Sequence, residues 1–206
     1  MERINTYMKS KSEKVAWTDI DDTIAMSTPV MLGCGLNYYE QNGQYPHPNF
    51  DIECEDDLYF ADILHLQDAE LPEFFTKYYP EYLREILPIP GAKEFLEALK
   101  EHGYQINLIS SRRDKDGRAE QITRAWLEAY ELPYDSLVIN CKDKASYLHN
   151  KTGFFIDDSY GHCLAVSRKT SLDVIQKKCE YGKACPGVFQ EGSFKEILTY
   201  ILKGEN

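Results

Sequence analysis

The chain has 206 residues and a formal net charge of −11, from 34 acidic and 23 basic side chains. A field of that sign repels nucleic-acid backbones and anionic lipid surfaces, which excludes both as general partners; a small anion stays admissible where a cation or local basic cluster reverses the potential. With 43% hydrophobic residues the chain can bury a core, and no apolar run reaches the ~18 residues that span a bilayer.

The first residues, "MERINTYMKSKSEK", are polar and lack the apolar stretch of a signal peptide, so a cytoplasmic location is expected. Cys34, Cys54, Cys141, Cys163, Cys179 and Cys185 form no C-x-x-C pair, and Cys179 and Cys185 match no common zinc spacing with His162. Free thiols in a reducing compartment are the expectation.

In chain order, "VAW" (15–17) reads as a short buried strand that runs into "TDIDDT". Three carboxylates, Asp19, Asp21 and Asp22, crowd the point where the strand leaves the core. That is either a solvated turn or a place for a cation. Residues 24–88 show no regular strand–helix alternation, are rich in Tyr and Phe, and hold only two basic residues, Lys77 and Arg84. Residues 57–66 and 71–87 read as short helices, so this segment is expected to fold as a small, mostly helical cap inserted after the first strand.

From residue 88 the pattern is regular. "PIPGAKEFLEALKEHGY" predicts a helix with Phe95, Leu96 and Leu99 on one face and Gly103 as its stop. "QINLIS" predicts a strand, 117–130 a helix, "SLVIN" a strand, "KASYLHN" a short helix, "GFFIDD" a strand, "SLDVI" a fifth strand and "SFKEILTYILKG" a closing amphipathic helix. Strands alternating with helices imply an α/β fold with a parallel sheet covered on both faces.

Polar residues with possible chemistry fall at four strand ends: Asp19 and Asp21 after "VAW", Ser110, Ser111 and Arg112 after "INLI", Lys142 and Lys144 after "LVIN", Asp157 and Asp158 after "FFI". In an open parallel sheet, ligands bind beyond the carboxyl ends of the strands. Each residue alone has an ordinary structural reading as a turn, cap or solvated charge; the shared rim makes them a candidate site.

The ordered set "DIDDT" (19–23), "INLIS" (106–110), Lys144 and "FFIDD" (154–158) resembles the haloacid dehalogenase superfamily of phosphatases. The "SSRR" and "CKDK" contexts resemble its 5′-nucleotidase branch more narrowly, although position 22 is Asp where many members have Gly. The resemblance covers roughly residues 14–25 and 89–203. It implies a Rossmann-like core over 1–23 and 89–206, with the helical cap over 24–88.

It further implies a phosphate-monoester hydrolase using Mg²⁺, held by Asp19 and Asp157 through their side chains and by Asp21 through its main-chain carbonyl. Asp19 would be the nucleophile, forming an aspartyl-phosphate. Asp21 would be the acid and base, with a pKa raised by its neighbours. Ser110, Ser111, Arg112 and Lys144 would bind phosphate, with Lys142 the alternative lysine, while Thr23 and Asp158 would support the loop and the metal from behind. Arg113 is expected at the surface. Asp21 argues against dehalogenase chemistry, and Lys77 is the only cap lysine a phosphonatase could use. The implied substrate is a (deoxy)ribonucleoside monophosphate, some of the cap aromatics stacking on its base. The alternatives are another small phosphorylated metabolite, or a non-catalytic protein that binds a phospholigand. Composition leaves the oligomeric state open.

Overall fold

In the computed structural model, residues 14–55 and 58–204 are described. The polar stretch over 1–13, on which the expected location rests, lies outside them. Six strands form one parallel sheet in the order β3-β2-β1-β4-β5-β6. They are β1 (Val15–Thr18), β2 (Gln105–Ile109), β3 (Ser136–Val138), β4 (Phe154–Asp157), β5 (Asp173–Lys177) and β6 (Phe189–Glu191). The chain runs outward through β2 and β3, then returns to the other side of β1 for β4. The switch in strand order therefore falls at β1, where a crevice opens past the strand ends.

Alternation along the strands assigns the two faces. Ala16, Ile106, Leu108, Phe154, Ile156 and Ile175 point into one apolar cluster. It includes Phe95, Leu96 and Leu99 of α4 (Ala92–Glu101), Ile122 and Trp126 of α5 (Arg118–Ala129), and Ile197 and Ile201 of α8 (Phe194–Lys203). Val15, Trp17, Ile109, Phe155 and Val174 point the other way, against Leu148 of α6 (Lys144–Leu148) and Cys163 and Val166 of α7 (Tyr160–Lys169). Side chains two apart share a face, so a run such as "VAW" serves both layers. Gly153, at φ +103°, lets the chain pass close to β1; a Cβ there would lie 1.9 Å from the Val15 carbonyl oxygen.

Between β1 and α4 the chain forms α1 (Ser27–Gln41), α2 (Tyr59–Leu64), α3 (Leu71–Tyr78) and a 3₁₀ turn over Glu81–Arg84. Of the helices expected over 57–66 and 71–87, the described residues form the shorter α2 and α3, α3 ending before Pro80, which has no amide proton. α1 was not predicted. Gly35 lets it approach α2 so closely that a Cβ would overlap Leu64. The aromatic residues Tyr38, Tyr39, Phe60, Phe74 and Phe75 join these helices to the apolar cluster on the first sheet face.

All six cysteines are free thiols. Among the described residues no helix is long and apolar enough to cross a membrane.

Candidate active site

The four strand ends converge. Asp19, Asp21, Ser110, Ser111, Arg112, Lys142, Lys144, Asp157 and Asp158 all line one cavity of about 340 Å³, together with Tyr59, Phe60, Phe75, Tyr79 and Tyr82. Backbone bonds continue between adjacent segments just past the strand ends and fix this rim. The Asp19 amide donates to Ile156 (2.9 Å), the Ser110 amide to Val138 (2.9 Å), and the Cys141 amide to Ser110 (3.0 Å).

At the centre, Lys144 Nζ donates to Asp19 Oδ1 and, at 2.7 Å, to Asp157 Oδ2. Asp143 caps α6, its carboxylate accepting the Ser146 amide at 3.0 Å, and this sets Lys144 at the helix start with its side chain turned inward. The Lys144 and Asp157 side chains are each 1% exposed, so the charges are fully desolvated and depend on one another. This selects Lys144 over Lys142 as the lysine among the acids. His162 Nδ1 lies 3.3 Å from the same Asp157 oxygen.

These contacts divide the carboxyl groups. Burial alone would raise Asp157, but Lys144 and His162 outweigh it and hold that carboxyl below its ordinary range. Burial pushes Asp19 up to about 7; Lys144 lowers it only in part, and the charges of Asp157 and Asp21 oppose that. Asp158 is raised well above the usual range by burial and then by Asp157, Asp22 and Asp19. Burial disfavours the Lys144 ammonium, yet Asp157 and Asp19 more than offset this.

A cation fits what is left over. Asp19, Asp157 and Asp158 are buried and bring carboxylate oxygens within 4.8 Å of one another. One ammonium faces three carboxyl groups, and burial first, then their mutual charge, raises Asp19 and Asp158. The donors are all oxygen, which suits a hard divalent ion such as Mg²⁺. Asp158 is already committed on both oxygens, to Thr23 Oγ1 (2.9 Å) and Tyr59 OH (2.7 Å), while its own amide donates to Thr23 Oγ1 (3.0 Å). Thr23 thus stands behind Asp158 and ties the loop after β1 to the end of β4.

One expectation is corrected by the geometry, and Arg112 is given specific partners within the cavity lining. Its Nε and Nη2 donate to the two oxygens of Asp21 at 2.8 and 2.9 Å, and its Nη1 donates to Thr123 Oγ1 at 2.9 Å. For the same reason Asp21 is not raised. Burial acts upward, but the Arg112 charge, its hydrogen bonds and a further bond from the Ser27 hydroxyl leave the carboxyl below its ordinary value. Ser110 Oγ accepts the Arg112 amide at 3.1 Å, and Ser111 donates to the Cys141 carbonyl at 3.3 Å. Arg113 lines the cavity with its guanidinium 4.4 Å from the Phe75 ring centre.

Sequence reasoning missed three contacts: His162 on Asp157, Tyr59 on Asp158, and the cap of α1 built by Asp22. The Asp22 carboxylate accepts the amides of Ser27 (3.1 Å) and Thr28 (3.0 Å) and the Thr28 hydroxyl (2.6 Å). Asp22 sits at φ +51°, a conformation glycine adopts freely and aspartate tolerates, which accounts for either residue at that position. Ser159, capping α7 through the His162 amide, was the available signal for His162; nothing local marked Tyr59.

An α/β sheet with a switch point at β1 and buried acids beyond it defines a ligand site at the strand ends. The sequence model of the haloacid dehalogenase-like hydrolases matches residues 18–130, and the chain belongs to that family. No curated protein matches the sequence. Among solved structures, a haloacid dehalogenase-like hydrolase from Streptococcus pneumoniae is 16% identical, with a TM-score of 0.67 over 91% of this chain and 98% of that one. A predicted phosphatase from Clostridium acetobutylicum is 15% identical, with a TM-score of 0.65 over 93% and 99%. A predicted phosphoglycolate phosphatase from Haemophilus somnus is 21% identical, with a TM-score of 0.61 over 91% and 97%. At these identities the likeness is one of fold.

Proposed function

We propose that the protein is a Mg²⁺-dependent phosphatase that hydrolyses small phosphate monoesters through a phosphoryl group carried on Asp19, with nucleoside 5′-monophosphates as its substrate class. The observation that carries this reading is the buried set of Asp19, Asp157 and Asp158 around Lys144 at the switch point of the sheet. Asp19 and Asp157 would hold the ion by their side chains and Asp21 by its main-chain carbonyl. Bound there, Mg²⁺ would supply positive charge against the phosphate dianion.

The chain's own residues then divide the work. A carboxylate oxygen of Asp19 attacks phosphorus, and the bond to the leaving oxygen breaks with its electron pair going to that oxygen. Asp21 gives the leaving oxygen a proton. In the second half, water attacks phosphorus, its proton passes to Asp21, and the bond to Asp19 breaks to return the carboxylate and release inorganic phosphate. Asp21 begins as a carboxylate in the free protein; a phosphate dianion beside it adds negative charge and favours the protonated form that the first transfer needs. Lys144 balances the acids and the phosphoryl oxygens. Ser110 and Ser111 hold the loop that faces those oxygens.

Residues 24–88 act as a cap over a core made of 1–23 and 89–206. For the nucleotide, support comes from Phe75, Tyr79 and Tyr82 along the cavity wall and from the "SSRR" and "CKDK" contexts. Aromatic faces stack on bases at about 1–3 kcal/mol each in single-strand binders. Free thiols suit a reducing compartment, hence the cytoplasm. The test is phosphate release from a panel of nucleoside, sugar and two- and three-carbon phosphates, with and without EDTA, for the wild type and Asp19→Asn. Nucleotides ranking far below the other esters discard the nucleotide assignment alone. Metal-independent turnover, or turnover by a folded Asp19→Asn variant, discards the mechanism.

A further inference from the structure

Asp21 is held from outside the loop that carries it. Its side chain remains 31% exposed to the cavity, whereas that of Arg112 is 2% exposed. The guanidinium meets both carboxylate oxygens edge-on, at 2.8 and 2.9 Å, the fork geometry that fixes a carboxylate in one plane. The third guanidinium nitrogen is pinned at 2.9 Å by Thr123 Oγ1, which is fully buried on α5, and the guanidinium carbon lies 5.9 Å from the Trp126 ring centre. Ser27 completes the set by donating its hydroxyl to Asp21 Oδ1. The acid after β1 is thus aligned through an arginine after β2 to a helix of the sheet core.

We infer that Arg112 is a positioning residue for proton transfer by Asp21, with Thr123 anchoring it, rather than a ligand of the substrate phosphate. The inference rests on the proposed reading of Asp19 and Asp21 as nucleophile and acid–base. A lysine in place of Arg112 keeps the charge but offers no planar fork, so the role belongs to the guanidinium's shape as well as its sign.

The consequence is selective. Leaving-group departure from an alkyl phosphate needs a proton, whereas p-nitrophenolate leaves without one. The test compares kcat/KM, which covers all steps up to that departure, on an alkyl phosphate and on p-nitrophenyl phosphate. R112M lowers kcat/KM on the alkyl ester by about 10²-fold or more, in the range expected for a lost acid. On p-nitrophenyl phosphate the loss stays below about tenfold, and the inhibition constant of inorganic phosphate moves by less than about threefold. D21N gives the same selectivity, and R112M in the D21N background adds little, since both act through one proton. R112K recovers part of the loss. T123V, which leaves Arg112 in place, shifts the same ratio in the same direction by a few-fold and covers the case in which R112M fails to fold.

Equal losses on both esters, full additivity with D21N, or a large rise in the inhibition constant of phosphate overturns the inference and returns Arg112 to a structural or phosphate-binding role. In those cases wild-type turnover and D21N selectivity still stand, which keeps the proposed function separate. A wild type that hydrolyses neither ester overturns both.

Discussion

Replacing Lys144 with methionine tests how the buried acids are held. Met roughly conserves the volume of the stem, so the change adds little cavity cost and removes mainly the ammonium. Lys144 bridges Asp19 and Asp157, whose side chains are 7% and 1% exposed, so water replaces little of what is lost. Breaking a buried pair by deleting one partner costs about 3–5 kcal/mol. For a chain of this size that lowers the melting temperature by about 6–20 °C.

The deficit depends on pH with a definite sign. Asp19 already holds its proton up to about 7, above its unfolded value, so its ionisation makes stability fall as pH rises toward that point. Without Lys144 the carboxyl rises further and the fall extends to higher pH. Thermal melts in metal-free buffer at about pH 6 and about pH 8 therefore show a larger K144M deficit at the higher pH. A deficit below about 1 kcal/mol at about pH 8, or one equal at both values, would refute the claim that the ammonium holds these acids together.

Three further outcomes follow from the fold and site. Gly153→Ala forces a side chain into a left-handed conformation with its Cβ 1.9 Å from the Val15 carbonyl oxygen. It should lower the unfolding free energy from urea titration by more than the ~1–3 kcal/mol of backbone strain alone. Burial raises Asp135, but Lys100 and the Ile106 amide (2.7 Å) together hold it below its ordinary range. Its contribution is present above the unfolded aspartate pKa and lost as pH falls through the folded value. Asp135→Asn should thus cost about 1 kcal/mol at neutral pH and nothing in strong acid, as read by urea titration at both. Tyr59→Phe removes the hydroxyl on Asp158 and should cost about 1–3 kcal/mol in the same titration, with weaker Mg²⁺ binding by calorimetry.

Much of this arrangement was legible in the sequence because the core is periodic. "VAW", "INLI" and "FFI" are short apolar runs that end in polar residues, and in a parallel sheet those ends share a rim. α4, α5 and α8 carry large apolar residues at helical spacing. α1 was hidden because its buried face includes Ser27, Thr28 and Gly35 beside Met31, Tyr38 and Tyr39. There the close packing of a glycine does what a leucine does elsewhere. α7 buries only Cys163 and Val166, too few for a pattern, and β6 is three half-buried residues at the sheet edge. The roles of Arg112 and Tyr59 depend on partners 91 and 99 residues away, which no local signal encodes.

The central claim is that Asp19 itself carries the phosphoryl group, and it can be read directly. Wild-type protein turning over a nucleoside monophosphate with Mg²⁺ is quenched in acid, digested and weighed by mass spectrometry. The account predicts a phosphoryl adduct on the peptide containing Asp19 that is absent without Mg²⁺ and absent in Asp19→Asn. Turnover with no adduct under rapid quench, or an adduct on any other residue, would contradict it.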